Sequence, residues 1–375
     1  MKRRLKEEVG VPQGITKSAE NLYTEIVQNI EMYGFDDPIV DDVSKTFQFN
    51  TNINISDLNI QKVIFKVILN YYDIDEIVFL NAGFSSPTRT NYSEFVFINQ
   101  KNVGFSKFKM TLALPKDTEH TTDDIVNFIK SNSTQFISTI AHELMHAYDA
   151  YKNERESFYD RTNYASITQF SGFGLQPIKN FFHYLYLATT AEILVKPTEV
   201  ASRLESGDVN KKEFLEFLLN DRTYDEFRYM YNLTYEEFYE SVIVDKDKII
   251  KLFKRSNINV PDNDTELFND LLKYLYVDLV NNRLEILADM LSENPLESLF
   301  GFDGSKQVFF EKTMKQFSKY EKNPTEFFKK EIEMLNFVGE KMMKKLSKLY
   351  VKAKDDTSQS DIIKRIYNKV NHEKR

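Results

Sequence analysis

The chain has 375 residues, 42% hydrophobic and 28% charged, with a formal net charge of −8 and no cysteine. This composition suits a globular protein of two domains, or one large domain with an elaboration, and only 11 Gly and 9 Pro argue against long disordered stretches. The acidic balance excludes a strongly basic nucleic-acid binder, and the lack of Cys excludes disulfides and thiolate metal sites.

The chain begins MKRRLKEEVG, which lacks the apolar stretch of a signal peptide. Residues 16–33 are predicted as an amphipathic helix, with Leu22, Ile26 and Ile30 on one face and Gly34 as its stop. Five segments rich in Val, Ile, Phe and Tyr follow: 45–55, 61–72, 75–80, 93–100 and 108–115. They read as four or five strands, with a helix over 57–70 as the alternative. From about residue 122 the pattern turns helical. A short helix (123–132) precedes a longer one (133–153). Then come 177–195 and 197–206, the second entered through Pro197 and closed before Gly207. Beyond 207 nearly everything reads as helix, in pieces over 211–220, 223–241, 245–255, 264–291, 305–320, 324–350 and 359–371.

The expected fold is therefore α+β. A small, mostly antiparallel sheet packs on the helix over 133–153, and a large helical region follows. The expected domains are a helical segment over 1–40, an α+β domain over 41–206 and a helical domain over 207–375. No run of about 18 apolar residues exists, so no membrane span is expected. A cytoplasmic protein is the expectation. The basic clusters Lys2–Arg4 and Lys344, Lys345 and Lys348 read as solvated helix faces, with no nucleic-acid or membrane partner.

The stretch Ala141-His142-Glu143-Leu144-Met145-His146 contains H-E-x-x-H. On a helix, residues four apart share a face, so two imidazoles reach one metal ion. The Glu between them can then take a proton from a water on the ion's open side. Ile137, Ile140, Ala141, Leu144 and Tyr148 form the apolar stripe of that helix, leaving His142, His146 and Asp149 on nearly the opposite side.

Catalytic zinc sites take three protein ligands, and without Cys the third must be His, Glu or Asp. Glu199, in KPTEVASRLES, is the preferred candidate. Its ordinary alternative role is an i,i+4 ion pair with Arg203. Glu192 competes, although its position three residues after Thr189 also suits a capping box. His183 is a further alternative, and His120 and His372 lie elsewhere in the chain. Asp149 either orients His146 or is a solvent-exposed helix Asp, and His183, Tyr184 and Tyr186 read first as packing residues and second as donors to a developing oxyanion.

HELMHAYDAY resembles the active-site helix of the zincin metallopeptidases, most closely the gluzincin branch that includes thermolysin and the anthrax-lethal-factor type of toxin protease. The similarity covers roughly residues 133–206 and rests chiefly on H-E-x-x-H. It implies zinc as cofactor, His142 and His146 as ligands, Glu143 as general base and proton shuttle, and Glu199 as third ligand. The branch's usual Asn ahead of the ligand-bearing segment is replaced by Lys196-Pro197. The resemblance further implies a protein or peptide substrate that pairs with an edge strand, for which 108–115 is the candidate. The competing expectation is a zincin-fold structural or interaction protein with a metal site and little turnover. The helical region shows no chemistry of its own, and richness in Asn, Ile and Lys suits a phage or low-GC bacterial origin. The intact Glu143 favours the enzyme.

Overall fold

The computed structural model describes residues 14–34, 44–55, 58–85, 96–98, 101–103, 107–116, 118, 120–152, 166–207, 209–292, 311, 314–315 and 317–353. The chain divides into two compact units. One comprises Met1–Glu154, Leu194–Asp221 and Leu346–Arg375, and the other Arg155–Ile193 and Arg222–Lys345. The N-terminal helix shares a unit with the sheet, whereas Arg155–Ile193 group with the later helices.

In the first unit, helix α1 (Ile15–Tyr33) is entered through Gly14 and closed by Gly34, both with positive φ, and Gly34 N–H returns to Ile30 O at 2.8 Å. Its buried residues Ile15, Ala19, Leu22, Ile26 and Ile30 follow the 3.6-residue period and face the core. Strands β1 (Ser44–Ile55), β2 (Leu58–Tyr72), β3 (Val78–Ser85) and β6 (Lys107–Pro115) form one sheet in the order β1-β2-β6-β3. The β1–β2 and β6–β3 pairings are antiparallel and the central β2–β6 pairing is parallel. Short strands β4 (Val96–Ile98) and β5 (Lys101–Val103) pair only with each other among the described residues. The region 58–72 is thus strand, and the segment expected over 93–100 contributes to the separate two-stranded ladder.

Alternation sets the buried face: Phe65, Val67 and Leu69 of β2 and Phe108, Met110, Leu112 and Leu114 of β6 all point into the core. Phe65 and Phe108 are register partners whose rings stack with centroids 4.7 Å apart. Strand β6 is paired along both sides, so the expectation that 108–115 forms an open edge for substrate fails. Its main-chain groups are already spent on β2 and β3.

Helix α2 (Thr122–Ser131) starts with a reciprocal capping box between Thr121 and Asp124. Helix α3 (Ser133–Lys152) follows. Its Phe136, Ile137, Ile140, Ala141, Leu144 and Met145 join the same core, and Phe79 of β3 meets Phe136 edge-to-face at 5.0 Å.

The second unit is helical. It holds α4 (Gln176–Leu187), α7 (Arg222–Asn232), α8 (Tyr235–Ile243), α9 (Lys246–Arg255), α10 (Asp264–Ser292) and most of α11 (Pro324–Ser347). Helix α5 (Thr190–Ser206) runs unbroken across the division after Ile193, and α6 (Phe214–Asn220) belongs to the first unit. The helix expected over 223–241 is split at Leu233, because Thr234 and Glu237 form a capping box that restarts it. Asn336 of α11 donates to the carbonyls of Met230, Tyr231 and Leu233, which covers the end of α7. At Gly339 the α11 backbone approaches α7 so closely that a Cβ would stand 2.6 Å from Phe227 O and from Tyr231 N. The core is aromatic: Phe170 stacks on Phe182 at 3.8 Å, and Phe181 on Phe238 at 4.6 Å. Residues 359–371, expected as helix, and the stretch 355–361 lie outside the described residues. Among the described residues no helix is long and apolar enough to cross a membrane.

Candidate metal centre

The apolar stripe of α3 pins one side of the helix to the sheet and places His142 and His146 one turn apart. Their rings stand edge-to-face, with centroids 4.7 Å and Nε2 atoms 3.0 Å apart. Two nitrogens on one tetrahedral zinc at about 2.0–2.1 Å would be separated by about 3.3 Å. The two imidazoles therefore already converge on a space of the right size. Glu143 sits beside them, its Oε1 3.9 Å from His142 Nε2. His142 is only 8% exposed, so the pair lies below the surface.

The carboxylate that joins them is Glu192. Ligand atoms of His142, His146 and Glu192 lie within 4.8 Å of one another, and Glu192 is 1% exposed. Its Oε1 accepts a hydrogen bond from Tyr186 of α4 at 2.5 Å. The capping-box role for Glu192 is not used, since Thr189 Oγ1 has no hydrogen-bond partner.

Glu199, expected as third ligand, instead serves the opposite side of an imidazole. Its Oε2 accepts from His142 Nδ1 at 3.1 Å and from Lys196 Nζ at 2.8 Å, while Oε1 accepts from Arg203. The i,i+4 pair with Arg203 is thus present as well. Burial alone would raise the Glu199 carboxyl; the His142 bond and the charges of Lys196 and Arg203 outweigh it and hold it well below the usual carboxylate range. Ionised, it can only accept, so His142 Nδ1 must donate, and in the neutral imidazole Nε2 then carries the lone pair.

The helix explains this arrangement. Two helices, 177–195 and 197–206, were expected, but the break falls at Ala188–Thr189 and α5 continues through Pro197. Glu192 and Glu199 are therefore two turns apart on one face, about 10 Å along the axis. Arg203 is gripped in turn by Asp221, which follows α6: Nε donates to Oδ2 at 2.9 Å and Nη2 to Oδ1 at 3.0 Å. Asp221 escapes sequence reasoning because nothing local ties it to a residue 18 positions earlier.

The remaining candidates are placed elsewhere. His183 is 42% exposed at its side chain and pairs with Glu226 at 3.4 Å. Tyr184 stacks on Tyr229 at 4.9 Å, and burial, reinforced by Tyr229 and nearby carboxylates, pushes its hydroxyl up to about 12. His120 precedes α2, with Nε2 buried and without a hydrogen-bond partner. The Asp149 side chain and His372 lie outside the described residues.

A dication fits this donor set. Two imidazole nitrogens and one carboxylate oxygen are the combination used by catalytic zinc sites. Comparisons with protein-family models, with curated proteins and with solved structures find no match to this chain.

Proposed function

We propose that the chain is a zinc-dependent metallopeptidase whose centre is His142, His146 and Glu192, with Glu143 as general base. The observation that carries this reading is the convergence of those three donor groups beside a glutamate with no place in the donor group. A purely structural site has no use for that fourth residue. When bound, the metal supplies the Lewis acidity that polarises a carbonyl and acidifies water. Glu143 accepts the proton from the attacking water and passes it to the leaving amine. Glu199 fixes the His142 ring, and Tyr186 fixes the Glu192 carboxylate. The substrate class, a protein or peptide, follows from the resemblance of HELMHAYDAY to the zincin helix.

The test is elemental analysis of the purified protein together with cleavage of a denatured protein substrate by the wild type and by Glu143→Gln. The expected result is one zinc per chain in both proteins and turnover in the wild type alone. Equal cleavage by the two would remove Glu143 from the chemistry, and a wild type that takes up no divalent metal would remove the centre.

A further inference from the structure

We propose that Arg203 and Asp221, which touch no metal-facing atom, are positioning residues that set the His142 tautomer through Glu199. The proposal rests on the metal centre described above but reaches past it, to a buried ion-pair chain running Asp221–Arg203–Glu199–His142. The Arg203 guanidinium faces two carboxylates at once. Nε and Nη2 form a fork on Asp221, and Nη1 donates to Glu199 Oε1. A planar fork held along one edge has a single orientation, which a lysine ammonium does not. With Arg203 fixed, Glu199 Oε1 is fixed, and Oε2 is left to His142 Nδ1. The proton then stays on Nδ1, and Nε2, the nitrogen facing His146, keeps the lone pair a metal would take.

Asp221 supports this from outside the helix. It is buried, follows α6 directly, and its own N–H bonds to Leu218 O, so its carboxylate is anchored by a different element from the one it restrains. Charge on Arg203 matters separately. Without it Glu199 would keep only Lys196 as a cationic partner and would stand as one of three carboxylates near the imidazoles. The carboxylate would then be free to turn toward the ring face it is now held away from.

The experiment compares Asp221→Asn and Arg203→Lys with the wild type and with Glu205→Gln. Glu205 lies on the same helix and pairs with Lys352, outside the centre. Two readouts are taken: the His142 tautomer from long-range ¹H–¹⁵N imidazole correlations of metal-free protein, and the zinc dissociation constant from competition with a chelating dye. The wild type and Glu205→Gln should show the Nδ1–H form. Asp221→Asn and Arg203→Lys should mix in the Nε2–H form and bind zinc about 10- to 100-fold more weakly. An unchanged tautomer in both variants overturns the proposal, because a merely structural ion pair would shift thermal stability alone. If Asp221→Asn does not fold, Arg203→Lys, which keeps the charge, decides. A wild type without zinc affinity refutes the metal centre, yet the metal-free tautomer still decides the role of Arg203 and Asp221.

Discussion

Glu199 Oε2 lies 3.1 Å from His142 Nδ1, on the side of the ring turned away from His146. Lys196 and Arg203 hold this glutamate at Nδ1, across the ring from the nitrogen that faces His146. The two glutamates of α5 should therefore behave differently when removed. Glu192→Ala deletes a ligand and should abolish stoichiometric zinc retention. Glu199→Gln keeps the centre but loosens it, weakening zinc by about 10- to 100-fold. Isothermal titration of both variants with zinc checks the order; the reverse order would return Glu199 to the ligand position.

Glu143→Gln should leave zinc affinity within about threefold of the wild type while lowering kcat by about 10²–10⁴, the usual worth of a positioned general base. Steady-state cleavage assays with matched metal content separate the two effects.

Gly339→Ala inserts a methyl group where Phe227 O and Tyr231 N leave only 2.6 Å. Both neighbours are backbone, so relief requires α7 and α11 to move apart. The expected loss is about 2–3 kcal/mol, the upper part of the range for overpacking. Denaturant titration measures it, and a loss below about 0.5 kcal/mol would show that the helices separate freely.

Lys345 is the fourth case. Its Nζ approaches Ile193 O at 3.4 Å, the carbonyl that a proline four residues later leaves without its helical partner. Burial pushes this amine down from 10.5 to about 8. The folded value lies below the unfolded one, so between about pH 8 and 10.5 the unfolded chain holds the extra proton and stability from this group rises with pH. Below pH 8 the full penalty of charging a buried amine applies. Lys345→Met removes that penalty but also the donor to Ile193 O, so at pH 7 it should be more stable than the wild type by only on the order of 1 kcal/mol. That advantage should shrink as pH rises through the window. Thermal melts of both proteins from pH 7 to 10.5 test the sign.

What the sequence disclosed depends on how local each signal is. The stripe Ile137, Ile140, Ala141, Leu144 placed α3 against the core and its histidines together, since both follow from the period of one helix. The α+β layout followed from the change of period near residue 122. In the sequence Pro197 reads as a helix boundary, which puts Glu192 and Glu199 on separate helices, whereas α5 runs through it. A proline normally ends a helix, but here Lys345, remote in sequence, covers the freed carbonyl. With α5 continuous, Glu192 and Glu199 share a face, Glu192 grouped with the two imidazoles and Glu199 bonded to His142 Nδ1. The internal position of β6 was equally hidden, since Phe108, Met110, Leu112 and Leu114 alternate in the same way whether or not a strand has neighbours on both sides. The split at Thr234 is legible in Thr-x-x-Glu, although the apolar period runs on across it.

The strand order β1-β2-β6-β3 also has a consequence in time. Synthesis delivers β2 and β3 well before β6, the strand that separates them. Until residues 107–115 emerge, β2 has one unfilled side and β3 has no partner in the sheet. Parallel pairing across such a separation is slow to form and leaves strand edges exposed meanwhile. The helix bearing His142 follows within a few tens of residues, and Glu192 arrives later still. A nascent chain halted between β3 and β6 would therefore expose unpaired strand edges to another copy, before any residue of the proposed metal centre has been made.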